Sequence, residues 1–347
     1  MTAVATRRTP DAALVRRPAR VRILWLLALL AVLALLMVAS VALGSRNVAA
    51  SDVWSALGGA DGTLAQAAVA KRIPRTLLAV LVGAALGVSG CVMQGVTRNP
   101  LADPGILGVN MGASLSVVTA VAFFGLASPT GYIWVAMAGA AASAAFVYAI
   151  GSLGRGGATP LKVALAGAAT SAAFASLVSA IVLRRNDIAG SFRLWQIGGV
   201  GGASYARIGQ VLPFLAAGFA VCLLCGRALN SLALGDELAA GLGEHVAVVR
   251  ATAALGAVVL CGASTAVAGP IGFVGLVVPH ACRLLAGVDH RWLLPFSALG
   301  GAALLTAADV VGRMATRPAD VEVGIVTALI GGPFFIHIVR RRKVREL

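Results

Sequence analysis

Charge is scarce in this chain. Charged residues make up 12% of its 347, well below the roughly one-quarter of a soluble globular domain, while apolar residues reach 59% and the mean hydropathy is +0.92. That balance excludes an ordinary soluble domain and describes a polytopic membrane protein. Acidic residues are scarcer still, 13 against 28 Lys and Arg, for a net charge of +15. In a soluble protein such an excess would suggest nucleic acid. Here many of the basic residues gather at the two ends, in Arg7, Arg8, Arg16, Arg17, Arg20 and Arg22 and in Arg340, Arg341, Arg342, Lys343 and Arg345. The positive-inside rule then predicts that both termini are cytoplasmic. The five cysteines all sit in apolar runs, as small core residues do, and Cys222-x-x-Cys225 has neither a second pair nor the polar context of a redox or zinc site. GxxxxGK[ST], HExxH and Gly-x-Ser-x-Gly are absent, as are paired catalytic carboxylates, so nucleotide hydrolysis and intramembrane catalysis are not expected of this chain. No metal or cofactor of its own is expected either.

Long apolar runs are what the chain has in abundance. A membrane-spanning helix needs about 20 apolar residues, and such runs recur at Ile23–Leu43, Thr76–Thr97, Val163–Leu183, Ile208–Gly226, Trp292–Ala308 and Val323–Val339. Pro104–Gly154 is long enough for two, with Ser128-Pro129-Thr130-Gly131 as the turn between them. Ala251–Cys282 is interrupted at Gly269-Pro270 and again at Pro279, which fits one full span and a shorter irregular one. The expected fold is all-α with ten transmembrane helices, because cytoplasmic termini at both ends require an even number. Ile23–Leu43 is too long for a signal-peptide core and lacks a convincing cleavage site, so it is read as a retained first span. The 42 glycines suit helices packed closely in a bilayer. Two halves are faintly similar: Arg75–Gly108 and Arg250–Gly275 each run from a basic start through a small-residue helix to a Pro/Gly break, a repeat common in transporters.

Three stretches carry the functional reading. Arg227–Arg250 is a polar interruption in which Leu234, Leu238 and Leu242 recur every fourth residue, with Asp236, Glu237 and Glu244 between them, the pattern of a short amphipathic helix. Asp236 is its candidate N-cap and Gly243 its candidate stop. After six spans the segment lies on the cytoplasmic side, either as a docking surface or as an interfacial helix. Arg72 and Arg75 stand at the outer mouth of the second span, and Arg313 and Arg317 in the loop before the last. They form an electropositive rim for acidic partner side chains or an anionic substrate, or else anchor the helix ends by snorkelling. In Gly90–Ser116 the helix breaks at Asn99-Pro100 and Asp103-Pro104-Gly105, tolerated at membrane depth only where protein or a watery path satisfies the backbone. Gln94, Asn99, Pro100 and Asn110 are therefore candidates to line a path, or, for the amides, to bond helix to helix.

Four blocks point to a family. RIPRTLLAVLVGAALGVSGCVMQGVTRNPLADPGILGVNMGA, LGDELAAGLG, GPIGFVGLVVPHACRLLAGVDHRWLLP and VGIVTALIGGPFFI resemble, in order, the permease subunits of ABC importers for iron–siderophores, haem and vitamin B12. The likeness runs from about Ile23 to Arg340, which divides the chain into a basic tail (1–22), a ten-helix permease unit (23–340) with its coupling loop at 227–250, and a second basic tail (341–347). The resemblance implies two permease subunits, identical or similar, around a central path, two cytoplasmic ATPase subunits that bind ATP and Mg, and an extracytoplasmic binding protein. It implies that Leu234, Gly235, Asp236, Glu237, Ala239, Leu242 and Gly243 belong to the surface seated in the ATPase, its small residues letting that surface close on the helix backbone. It further implies that Arg72, Arg75 and Arg313 meet glutamates of the binding protein, which would account for arginines left on the outer side. His280, Cys282, Asp289 and His290 tempt a metal reading, but in the family's pattern they belong to a short helix and a cytoplasmic turn.

The expected function is therefore that of a non-enzymatic permease subunit in a prokaryotic plasma membrane, importing ferric siderophores or, within the same family, haem or vitamin B12. The alternative is a secondary transporter driven by an ion gradient. It would need a buried acidic residue for coupling, for which Asp103 and Asp309 are the candidates.

Overall fold

The computed structural model describes residues 18–44, 48–59, 62–153, 159–317 and 319–343. Most of the predicted terminal tails, including Arg7, Arg8, Arg16, Arg17 and Arg345, lies outside them. The described residues form fourteen α-helices and one 3-10 turn: α1 (Ala19–Ala42), α2 (Ala50–Leu57), α3 (Leu64–Thr97), the 3-10 turn (Pro104–Leu107), α4 (Val109–Phe124), α5 (Pro129–Ser152), α6 (Pro160–Arg184), α7 (Asn186–Ile197), α8 (Tyr205–Leu224), α9 (Gly226–Ala233), α10 (Asp236–Gly241), α11 (Val246–Ala268), α12 (Val274–Ala286), α13 (His290–Ala315) and α14 (Val323–Lys343). Seven are long and apolar enough to cross a membrane, namely α1, α3, α5, α6, α8, α11 and α13. Three shorter apolar helices, at Val109–Phe124, Val274–Ala286 and Val323–His337, accompany them. The all-α expectation holds for the described residues.

The centre of the bundle is α3. It starts at Leu64, twelve residues before the predicted Thr76, because Thr63 and Gln66 close a reciprocal capping box that satisfies two otherwise orphaned backbone N–H groups. Lys71, Arg72 and Arg75 hide this first part of the helix from a hydropathy reading, and Pro74 is accommodated within it. Close backbone contact joins α3 to its neighbours: a Cβ on Gly83 would stand 2.3 Å from the Gly301 carbonyl of α13, and one on Gly90 2.0 Å from that of Gly275 in α12. Only residues without a side chain permit these crossings.

The predicted turn before α5 is present, with Ser128 as N-cap accepting from the Gly131 N–H. The break at Gly269 is also present, with φ at +72°. The second predicted break is not: Pro279 lies inside α12. The polar segment after α6 contains α7, where Asp187 pairs with Arg185 at 2.8 Å.

Candidate functional site

Polar groups concentrate at the two ends of the bundle. At the end where α1 finishes, five arginine and aspartate side chains gather. Arg313 is 2% exposed and Arg72 7%. Arg313 donates to the Ser40 and Leu43 carbonyls at 2.9 and 3.0 Å and to Ser40 Oγ at 2.7 Å. Arg72 donates to the Val41 and Ala42 carbonyls at 3.1 and 2.9 Å. The last carbonyls of α1, which a helix cannot satisfy internally, thus receive two guanidiniums at the negative end of the helix dipole. Arg75 pairs with Asp309 at 2.9 Å and Asp320 at 2.8 Å, and Arg313 pairs with the other oxygen of Asp309 at 3.0 Å.

Arg72, Arg75 and Arg313 are therefore turned inward onto protein partners in this conformation. They do not snorkel, nor do they stand as an open rim. Arg75 is the member nearest to display, through Asp320, whose side chain is 32% exposed. Asp309 is buried between Arg75 and Arg313.

The 227–250 segment lies at the opposite end, where α3 finishes. It holds most of α9, all of α10 and the first turn of α11. Asp236 is not the N-cap: Gly235 holds that position at φ +112°, and Asp236 opens α10 itself. Gly243 does mark the stop, at φ +88° just after the C-cap Leu242. Both glycines face open space, so backbone conformation is sufficient reason for them. Ala239 is wholly buried against the chain itself, which gives its small side chain an internal reason rather than the approach of a partner. Leu234, Leu238 and Leu242 are 59%, 61% and 65% exposed.

The segment is fastened at both its ends. Asn230 of α9 donates to Asp289 at 2.7 Å, and its carbonyl oxygen accepts from the His290 backbone N–H at 2.8 Å, with the His290 ring 2.9 Å away. Asp289 in turn caps α13 by accepting from the Arg291 N–H. Asp236 pairs with Arg250 at 2.8 Å and with Arg98. Asn230 and the two arginines escaped sequence reasoning. The available signal was one amide between the buried Leu229 and Leu232 of α9.

A cavity of about 1010 Å³ opens beside this segment, with Met93, Leu107, Ala144, Phe214 and Val258 in its wall and Asp236, Glu237 and Arg250 also lining it. Gln94, Asn99, Pro100 and Asn110 do not line it. Gln94 is buried and donates to the Gly275 carbonyl at 3.0 Å. Asn110 accepts from Thr265 at 2.8 Å, tying α4 to α11. Asn99 closes a turn with the Leu101 N–H at 3.0 Å, next to Pro100. For Gln94 and Asn110 the helix-to-helix alternative describes what the side chains do. The remaining tempting residues are dispersed: Cys282 donates to the Phe296 carbonyl, and the His280 ring meets Phe334 edge-on.

The fold and these clusters define a multi-pass helical membrane protein with one end braced by buried ion pairs and the other carrying a fastened, leucine-faced segment. Residues 31–341 match the model of the FecCD transport family, and the chain belongs to that family. It is 42% identical over 308 residues to the ferric enterobactin transport system permease protein FepD of Escherichia coli, covering 87% of this chain and 91% of that one. It is 41% identical over 306 residues to the iron(3+)-hydroxamate import system permease protein FhuB of Bacillus subtilis, covering 88% and 79%. Among solved structures it resembles an inward-facing conformation of a metal-chelate type ABC transporter, with a TM-score of 0.80, 29% identity and coverage of 92% and 99%.

Proposed function

We propose that this chain is a permease subunit of an ATP-driven ABC importer for ferric siderophores in a prokaryotic plasma membrane. The observation that carries the reading is the leucine face of Leu234, Leu238 and Leu242, exposed on a segment that is itself anchored. In this reading ten helices span the bilayer, α1, α3–α6, α8 and α11–α14, with both termini on the cytoplasmic side. A second permease subunit completes the path, two ATPase subunits receive the leucine face with Glu237 beside it, and a binding protein delivers cargo at the Arg75 end.

The mechanism is alternating access. ATP binding and hydrolysis on the partner subunits displace α10, and the helices fastened to it shift the opening from one side to the other. No covalent chemistry falls to this chain. At the Arg75 end, acidic groups of the binding protein would meet an arginine already shared with Asp320, which favours an exchange of partners over capture by a free cation. The ion-gradient alternative has less support, because Asp309 is held between Arg75 and Arg313 and Asp103 accepts from the Gly105 N–H. The reading is tested by co-purifying the chain with its ATPase subunit: Leu238→Asp should abolish association, and undiminished association would refute the docking face.

A further inference from the structure

We propose that Asp236 is a positioning residue that clips the segment of α9 and α10 to α3 and α11, so that displacement of α10 reaches both helices. The proposal rests on the permease reading above and deepens it. One carboxylate oxygen of Asp236 accepts from Arg250 Nη2 at 2.8 Å and also faces Arg98 Nη2. The two arginines come from different helices: Arg98 is the C-cap of α3, in the left-handed conformation at φ +51°, and Arg250 lies near the start of α11. Three helices, of which α3 is distant in sequence from the other two, meet at one oxygen.

An isolated surface ion pair adds little to stability, so the role of this pairing is connection. Asn230 fastens the other end of the segment to Asp289 and His290 of α13. Displacement of α10 would therefore pull on α3 and α11 through Asp236, while α13 is held through Asn230. The far end of α3 carries Arg75, bonded to Asp309 near the far end of α13. Thus α3 is joined to α13 at one end and to α10 at the other, the connection needed for an event at α10 to be felt where cargo would enter. The alternative role of Asp236 is local: an acidic residue in the first turn of a helix is favoured by the helix dipole alone, and would have no need of either arginine.

The two roles separate in vesicles holding the complete transporter, when cargo imported per ATP hydrolysed is compared with ATPase subunit retained on purification. Asp236→Asn is expected to lower import per ATP about fivefold or more, with the ATPase subunit still bound. Arg98→Ala and Arg250→Ala should each lower it, and adding Arg250→Ala to Asp236→Asn should cost less than the product of the single effects. Asp236→Glu should recover most of the ratio. A wild-type ratio in Asp236→Asn, with both arginine variants also normal, would overturn the proposal. So would loss of the ATPase subunit from Asp236→Asn, which would make Asp236 a contact with the partner. Should any of these variants fail to fold, those that remain decide. A wild-type chain that retains no ATPase subunit would instead refute the permease reading itself.

Discussion

Arg75 donates to Asp309 across 2.9 Å, joining the first third of α3 to the last third of α13. The carboxylate is 1% exposed, and its other oxygen faces Arg313. Removing the charge at its centre leaves two guanidiniums facing each other in a buried place. Asp309→Asn should therefore destabilise the fold by about 3–5 kcal/mol, read as a lower midpoint of thermal unfolding in detergent. Arg75→Ala should cost less, since Arg313 still neutralises Asp309. Equal costs would show that the carboxylate is not shared in this way.

The crossing of α3 and α13 gives a second test. A methyl group at Gly83 would meet the Gly301 carbonyl at 2.3 Å, so Gly83→Ala forces the helices apart at about 1–3 kcal/mol. Gly209 of α8 has nothing within 4 Å of an added Cβ, and Gly209→Ala should be neutral or stabilise by up to about 1 kcal/mol. Melting midpoints of the two variants should fall on opposite sides of the wild-type value or, for Gly209, on it.

These features also show what could be read in the chain. Apolar runs located every long helix, because a charge-free stretch of that length has few other uses. They misplaced the start of α3, since Lys71, Arg72 and Arg75 look like a boundary until the carbonyls of α1 and the carboxylates of Asp309 and Asp320 are seen to receive the two arginines. Pro279 looked like a break because proline removes a hydrogen bond donor, yet α12 continues through it. In the 227–250 segment the three leucines singled out by their spacing are exposed, although Gly235 breaks the helix between Leu234 and Leu238. The burial of Ala239 and the arginine partners of Asp236 depend on how the helices pack, and Arg98 comes from a remote part of the chain, which no local pattern records.

Gln94 separates a packing role from a path role. Its amide ties α3 to α12 through the Gly275 carbonyl at 3.0 Å. Gln94→Leu, of similar size, should cost about 1 kcal/mol of stability and leave the rate of cargo uptake per folded transporter unchanged. A change in uptake far beyond the change in folded fraction would return Gln94 to the path.

Glu322, in the loop before α14, supplies a pH test. Burial raises its carboxyl above the ordinary value of 4.5, with Arg75 opposing and Asp309 and Asp320 reinforcing the shift. A carboxyl raised on folding contributes stability that is fully present below pH 4.5 and is lost as the pH climbs through its folded value. Glu322→Gln should therefore unfold at a higher temperature than wild type near neutral pH, with the gap narrowing below pH 4.5. A gap that widens on acidification would reverse the assigned sign.

In the proposed importer, cargo moves through this chain at the expense of ATP hydrolysed by a partner docked on Leu234, Leu238 and Leu242. Uptake of a radiolabelled ferric siderophore into vesicles containing the chain, its ATPase subunit and its binding protein tests that most directly. The expected result is uptake that requires ATP and the ATPase subunit, persists when ion gradients are collapsed, and disappears in Leu238→Asp. Uptake that proceeds without the ATPase subunit and stops when the gradient is collapsed would contradict it.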